Sequence, residues 1–239
     1  MRIGSGRTVH GAAVGILMLE TRFPRIPGDI GHAATWPFPV LYRVVRGASP
    51  ERVVREGAEG LEGAFVEAGQ ALVADGADGI TTSCGFLAPF QAPLAGALGV
   101  PVATSALMQV PLVERLLPPG RRAGVLTVSA STLTAPHLEA AGVAADTPVG
   151  STEGGRHFTE AILGDAADLD IEAARSDNVE AALALVAAHP ALGALVLECT
   201  NMTPYAADIR AATGLPVFTM ETFVAWFQSG LAPRRFPAG

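Results

Sequence analysis

An internal repeat constrains the fold of this chain more than any other feature of its sequence. At an offset of 115 residues, the segment around Cys84 aligns with the segment around Cys199 without a gap. The same offset pairs Pro89 with Pro204, Gly99 with Gly214, Pro101 with Pro216, Val102 with Val217, and Thr104 with Thr219. An earlier part of the repeat, Gly15-Ile16-Leu17 against Gly124-Val125-Leu126, has an offset of 109. The repeat predicts two similar halves. The alternative to a duplication is that the Gly-x-Pro-Val pattern recurs by chance, because many α/β proteins have it before their strands.

Each half has the pattern of strand, helical connection, strand, cysteine, helix and strand. Ser49-Pro50 begins one helix as N-cap and first helical residue, and Asp75-Gly76 ends it. The predicted strands are 11–19, 78–82, 100–104, 122–128, 143–148, 194–198 and 216–218. The predicted helices are 51–74, 86–98, 131–141, 178–188, 203–213 and a last helix from about residue 221.

Strands that alternate with helices predict parallel sheets. We therefore expect an α/β fold of two pseudo-symmetric lobes, each a parallel-sheet α/β sandwich, with the active site in the cleft between them. The expected N-terminal lobe is 1–115, completed by 216–239, and the expected C-terminal lobe is 116–215.

The composition excludes several classes of partner. Of 239 residues, 49% are hydrophobic and only 16% are charged, which is typical of a compact soluble enzyme. The net charge is −7 and no run of Lys or Arg occurs, so we expect no nucleic-acid partner. No apolar run approaches the roughly 18–20 residues of a membrane span. We interpret the short apolar stretch 11–19 as a buried first strand and not as part of a signal peptide, so we expect a cytoplasmic protein with reduced thiols.

The chain has only two cysteines, and both occupy equivalent positions in the repeat. Cys84 and Cys199 each follow a predicted strand and precede a predicted helix, where parallel sheets bind ligands. The helix N-terminus there should lower the pKa of each thiol. Two thiols on opposite faces of a substrate carbon can remove a proton from one face and return one to the other. The alternative is that both cysteines are small buried apolar residues.

At these residues the chain resembles the aspartate/glutamate racemase superfamily, which includes hydantoin racemase, maleate isomerase and arylmalonate decarboxylase. The similar motifs are ITTSCGF around Cys84 and LVLECTNMTPY around Cys199. The resemblance implies a two-lobe fold, acid/base catalysis by both cysteines, no pyridoxal phosphate or other cofactor, no metal, and a homodimer or higher homo-oligomer. Amino-acid racemases commonly have Cys-Asn-Thr where this chain has Cys84-Gly85-Phe86, and Asn201 also departs from their pattern.

Polar residues beside the cysteines and after the first strand of each half are candidates for binding a substrate carboxylate or amino group. The candidate binding residues are Asp29, Ser83, Gly85, Thr127, Ser129, Thr200 and Asn201. Arg22, Arg25 and Ser131 are further candidates. For each of them, helix capping, a turn or a solvated surface position is the alternative explanation.

The leading functional hypothesis is an isomerase: a cofactor-independent, aspartate/glutamate-type amino-acid racemase that transfers protons through Cys84 and Cys199 next to a carboxylate. The alternative is a lyase, decarboxylase or cis-trans isomerase of a small carboxylate on the same scaffold, and elimination beside a leaving group would also fit two thiols. A two-lobe binding protein without activity is a third hypothesis, although binding alone does not need thiols.

Overall fold

Two four-stranded parallel sheets form the core of the computed structural model, which describes Val9, Gly11 and residues 13–236. The N-terminal segment on which the expected cytoplasmic location rests lies mostly outside the described residues. The strands are β1 (Ala13–Leu19), β2 (Val40–Val45), β3 (Ala77–Thr82), β4 (Val102–Ala103), β5 (Arg122–Thr127), β6 (Val149–Ser151), β7 (Leu192–Leu197) and β8 (Val217–Phe218). Their orders, β2-β1-β3-β4 and β6-β5-β7-β8, are identical in the two sheets.

Eight α-helices flank the two sheets within the described residues. They are α1 (Glu62–Asp75), α2 (Gln91–Leu98), α3 (Val110–Leu116), α4 (Ala135–Ala140), α5 (Phe158–Leu163), α6 (Ile171–Ala188), α7 (Ala206–Thr213) and α8 (Met220–Leu231). The buried apolar side chains of both sheets and their helices form one continuous cluster. The predicted two-lobe α/β architecture is therefore confirmed.

The two sheets repeat each other in register as well as in order. In the first, Gly15 of β1 pairs with Ile80 of β3, and in the second, Gly124 of β5 pairs with Leu195 of β7. Both ladders shift by one residue near the start of the central strand. From β3 to β4 and from β7 to β8, every element recurs at the 115-residue offset. The sequence repeat therefore corresponds to a repeat of structure.

The last helix of each half packs against the sheet of the other half. The segment after β4, a 3-10 helix at Ala106–Gln109 followed by α3, contacts β7 and β5. In the same way, α8 follows β8 and contacts β3. The Gln109 side chain links the two crossing segments because its Nε2 donates to the carbonyl oxygen of Thr219 at 3.0 Å. This exchange of helices fixes one lobe against the other.

The exchange corrects part of the expected domain boundaries. The strand Val217–Phe218 pairs with β7 in the second sheet, so it does not complete the first lobe as the segment 216–239 was expected to do. Only α8 crosses back to the first sheet. The first sheet already has β4 as its fourth strand, and Val217–Phe218 is the equivalent fourth strand of the second sheet.

Several predicted elements differ from those observed. The helix predicted over 51–74 is a π-helical turn at Glu51–Arg55 and then α1, because the intervening Gly57, Ala58 and Gly60 have positive φ. The edge strand β2 was missed because only Val45 of its six residues is buried, so it lacks the buried run by which the other strands were found. The strand predicted over 143–148 lies at Val149–Ser151.

Helix α6 begins seven residues before the predicted start at 178. Its N-cap is Asp170, whose side chain accepts hydrogen bonds from the backbone N–H groups of Glu172 and Ala173. In the part of the chain that the structure describes, no helix combines the length and apolarity needed to cross a membrane.

A substitution at Gly79 in β3 tests whether α8 packs against this strand. A Cβ at Gly79 would lie 2.7 Å from side-chain atoms of both Leu231 and Phe227 of α8. We expect Gly79→Ala to lower the free energy of unfolding by about 1–3 kcal/mol, because overpacking displaces the helix. Urea unfolding measures the change.

The control is Gly63→Ala in α1, where a Cβ would meet no atom within 4 Å. This substitution should stabilise the chain by roughly 0.5–1 kcal/mol, because it removes the flexibility of glycine from a helix. If Gly79→Ala were as stable as Gly63→Ala, α8 would not pack on β3 as described.

Candidate active site

The two cysteines stand at the carboxyl ends of equivalent strands. Cys84 follows β3 and Cys199 follows β7, and neither forms a disulfide. Each is followed by a 3-10 helix, Gly85–Phe90 or Thr200–Tyr205, which continues into α2 or α7. The α-helices start later than the predicted 86 and 203, and Pro89 and Pro204 lie inside these tight turns.

Both cysteines line one narrow cleft, whose space of about 360 Å³ includes its opening to solvent. Apolar side chains form most of its walls: Leu19, Phe23, Pro50, Val54, Phe86, Val128, Ile162 and Leu163. Arg25 and Glu198 are the charged residues among those lining it. A ligand in this cleft would be largely removed from water.

Burial raises the pKa of both thiols. Cys199 is buried and Cys84 is half-buried, and the negative charge of Glu198 adds to the effect of desolvation on each. Hydrogen bonds from the backbone N–H groups of Phe86 and Asn201 oppose the increase but are weaker. The expectation of lowered thiol pKa values is therefore wrong, because desolvation and a like charge outweigh the helix N-termini.

Glu198 is a functional candidate that the sequence analysis missed. It is fully buried between β7 and Cys199, and its Oε2 accepts a hydrogen bond of 2.7 Å from the Thr127 hydroxyl. Its Oε1 is buried and has no hydrogen-bond partner. Desolvation raises the pKa of Glu198 to about 7, although the bond from Thr127 acts to lower it. A glutamate at the end of the buried apolar run LVLE was the available signal.

Gly85 makes room for this carboxyl group. A Cβ at Gly85 would lie 2.1 Å from Oε1 of Glu198 and 2.6 Å from its carbonyl oxygen. The glycine that distinguishes the first cysteine motif from Cys-Asn-Thr therefore lets residues of the two lobes approach closely. Gly85 also lines the cleft, beside Cys84.

Asp29 reaches the site through Asn201. Nδ2 of Asn201 donates to Oδ2 of Asp29 at 2.5 Å, and the Cys199 Sγ lies 3.6 Å from Oδ1 of Asn201. The other oxygen of Asp29 accepts from Arg25 at 2.7 Å. Asp29 is only 3% exposed and is absent from the cleft wall. It therefore orients Asn201 and Arg25 and does not itself contact the cavity, unlike the predicted binding role.

Ser83 and Thr200 use their polar groups to join the two lobes. The Thr200 hydroxyl donates to the carbonyl oxygen of Ser83 at 2.8 Å. The Ser83 hydroxyl accepts from the backbone N–H of Leu19 at 2.9 Å. Both residues line the cleft, but these bonds leave the Thr200 hydroxyl without a free donor for a substrate carboxylate.

The remaining predicted binding residues lie differently from the expectation. Thr127 donates to Glu198 and is not part of the cleft wall. Ser129 donates to Glu153 at 2.7 Å, and Ser131 also bonds that carboxylate. Burial alone would raise the pKa of Glu153, but the serine hydroxyls lower it to about 2. The expected carboxylate site thus holds a carboxylate of the chain itself. Arg22 is exposed and pairs with Asp165.

Within residues 13–236, no group of three or more His, Cys, Asp or Glu side chains is arranged to hold a metal ion. The chemistry that the described side chains can supply is proton transfer. Two thiols and one carboxyl group, each with a raised pKa, line a single apolar cleft. The cleft is also asymmetric, because Glu198 in the second half occupies the position of Ser83 in the first.

Curated relatives of the chain are lyases. It is 29% identical over 227 residues to a dimethylsulfoniopropionate lyase from Durusdinium sp. clade D. The matched region covers 90% of this chain and 73% of that protein. It is 30% identical over 218 residues to dimethylsulfoniopropionate lyase 6 from Emiliania huxleyi (strain CCMP1516), which covers 86% of this chain. The match spans 56% of the Emiliania huxleyi protein, so the chain corresponds to about half the length of that relative. The chain matches no protein-family model.

Solved structures with the same fold include decarboxylases and racemases. Unliganded arylmalonate decarboxylase superimposes with a TM-score of 0.58 at 17% identity, over 96% of this chain and 97% of that one. Aspartate racemase from Picrophilus torridus gives a TM-score of 0.54 at 14% identity, over 95% and 96% of the two chains. The chain has the fold of the aspartate/glutamate racemase superfamily, as the cysteine motifs predicted.

The predicted activity is corrected by the same comparisons. The relatives that match most of the chain are named as lyases, so the prediction of an amino-acid racemase, and of an isomerase in general, is wrong. The lyase alternative is the better supported one. The fold could not have decided this, because one fold serves several reactions.

The raised pKa of Glu198 predicts a pH-dependent stability. The folded chain holds a proton at Glu198 up to about pH 7, whereas the unfolded chain releases it near the ordinary value of 4.5. Stability from this group is thus full below about pH 4.5 and is lost as the pH rises to about 7. Glu198→Gln lacks this group. Between pH 4.5 and 7.5, its free energy of unfolding should therefore rise relative to that of the wild type by on the order of 3 kcal/mol.

Urea unfolding of both proteins at several pH values measures this gain. Glu59→Gln is the matched control, since Glu59 is exposed at the surface. A difference between Glu198→Gln and the wild type that stays constant with pH would contradict the raised pKa.

Proposed function

We propose that the chain is a lyase that cleaves dimethylsulfoniopropionate to dimethylsulfide and acrylate, with Cys84 and Cys199 as its proton-transfer groups. The observation that carries the proposal is the pair of thiols, at equivalent strand ends, that line one apolar cleft. The names of the relatives supply the substrate, and the chain's own residues supply the chemistry.

The reaction requires a base but no acid for the leaving group. A thiolate in the cleft takes the proton from the carbon next to the substrate carboxylate. The electron pair of that C–H bond forms the carbon–carbon double bond, and the C–S bond breaks with its pair going to sulfur. Dimethylsulfide leaves as a neutral molecule, and the new thiol then releases its proton to solvent. The second thiol can donate a hydrogen bond to the carboxylate as it gains enolate character.

A positively charged substrate fits the electrostatics of the cleft. Burial and Glu198 favour the neutral form of both thiols, because both raise the thiol pKa. A sulfonium group within a few ångströms favours the thiolate, since an opposite charge lowers the pKa of an acid. Binding of the substrate would therefore generate the base that the elimination needs.

The asymmetry of the site also favours elimination. Racemisation runs in both directions and needs two thiols in interchangeable roles, whereas elimination needs one base on one side. In this chain Cys84 is preceded by Ser83 and Cys199 by the buried Glu198, so the two thiols have different surroundings. Cys199 is further distinguished because its thiol donates a hydrogen bond to Oδ1 of Asn201.

Lyase activity is tested with purified protein and dimethylsulfoniopropionate. We expect dimethylsulfide, measured by gas chromatography, and acrylate, measured by NMR, in equal amounts. Cys84→Ser and Cys199→Ser should each lower kcat/KM by about 100-fold or more, the usual contribution of a positioned acid or base. Serine keeps the shape of cysteine but is a much weaker acid.

Ser131→Ala is the control, because Ser131 bonds Glu153 outside the cleft and should leave kcat/KM nearly unchanged. Absence of dimethylsulfide from the wild type would reject the substrate. Full activity in both serine variants would reject the thiols as proton-transfer groups.

A further inference from the structure

One oxygen of Glu198 is buried without a partner at the wall of the cleft. Oε2 is held by the Thr127 hydroxyl at 2.7 Å, while Oε1 has no hydrogen bond. Leaving a buried polar atom unpaired is costly, so such an atom needs an explanation, and a catalytic role or a bound ion is among the usual ones. Glu198 lines the same cleft as both thiols. The carboxyl group therefore calls for a partner that the chain does not provide.

We propose that Glu198 is the specificity-determining residue of the cleft, whose free Oε1 pairs with a positively charged leaving group of the substrate. The inference rests on the proposed lyase function for the reaction itself. It adds that the cleft selects small zwitterions, with a sulfonium or quaternary ammonium group at one end and a carboxylate at the other.

The charges around the cleft support a cation at this position. Arg25 is the positive residue of the wall, and its guanidinium is paired with Asp29 at 2.7 Å and lies over the ring of Phe23. Glu198 has no such counter-charge in its hydrogen bonds. A cation buried in an apolar cleft is stable only beside an anion or an aromatic face. Glu198 supplies the anion, and Phe86 lies in the same wall.

The packing around Glu198 fixes where its charge lies. Thr127 holds one oxygen from β5, and Gly85 lies against the other from the opposite lobe. The carboxyl group therefore cannot rotate freely to meet a ligand elsewhere. Because Ser83 replaces Glu198 in the equivalent position of the first half, a negative charge lies on one side of the cleft only. A zwitterion then has one favourable direction of binding.

The test uses two unreactive ligands of the same shape. The first, 3-(trimethylammonio)propionate, carries a cation where the substrate has its sulfonium. The second, 4,4-dimethylpentanoate, has a carbon atom in place of the nitrogen and is otherwise equal in outline. Calorimetric titration at pH 8, above the pKa of about 7 at Glu198, gives the dissociation constants for the wild type and for Glu198→Gln.

We expect the wild type to bind the ammonium ligand at least tenfold more tightly than its neutral counterpart. In Glu198→Gln this ratio should fall to about one, while the affinity for the neutral ligand stays the same. Glu198→Asp keeps the charge on a shorter side chain and should retain part of the preference. Glu139→Gln, an exposed residue of α4, is the matched control and should keep the wild-type ratio.

Three results would overturn the proposal: equal binding of both ligands to the wild type, no binding of the ammonium ligand at millimolar concentration, or an unchanged preference in Glu198→Gln. The third result together with a loss of turnover would assign Glu198 to proton transfer instead. The comparison of the two ligands on the wild type does not depend on whether any variant folds. Because binding is measured without turnover, a protein that prefers the cation but releases no dimethylsulfide would reject the lyase and keep the selectivity.

Discussion

The hydrogen bond from the Thr200 hydroxyl to the carbonyl oxygen of Ser83 joins the carboxyl ends of β3 and β7, one from each sheet. The position of the site depends on this junction. Cys84 directly follows Ser83 and Cys199 directly precedes Thr200, and all four residues line the cleft. Helices α3 and α8 hold the same arrangement from outside, since each packs on the sheet of the other half. Two strand ends are thus held together without a covalent link.

Equivalent positions in the repeat carry different chemistry. Equivalent strands and helices flank Cys84 and Cys199, but Ser83 is neutral and its hydroxyl accepts a bond from Leu19, whereas Glu198 is a buried acid with a free oxygen. Asn201 and Asp29 add a hydrogen-bonded chain on the side of Cys199. The two similar lobes place both thiols in one cleft. The residues that differ between the lobes suit an elimination, in which one thiol acts as the base, better than a reaction in which the thiols exchange roles.

Desolvation is the dominant electrostatic influence in the cleft. It raises the pKa of both thiols and of Glu198, so these three groups hold their protons more strongly than they would in water. Such a site responds strongly to a charged ligand, because an apolar surrounding weakens screening. Glu153 shows the contrast: three serine hydroxyls and two backbone N–H groups bond it, and its pKa is low despite partial burial.

The sequence by itself determined the two-lobe parallel architecture and the placement of both cysteines after equivalent strands. Repeat spacing, apolar runs and Gly or Pro punctuation are local signals, and strand ends in a parallel sheet follow from them. Only the tertiary structure decided the hydrogen-bond partners and the pKa shifts. Asn201 bonds Asp29, which lies 172 residues away in the sequence. Glu153 accepts the hydrogen bonds of the serines that were expected to bind a substrate, and Glu198 has one unpaired oxygen. These properties depend on which distant atoms exclude water from a group, and no local pattern carries that information.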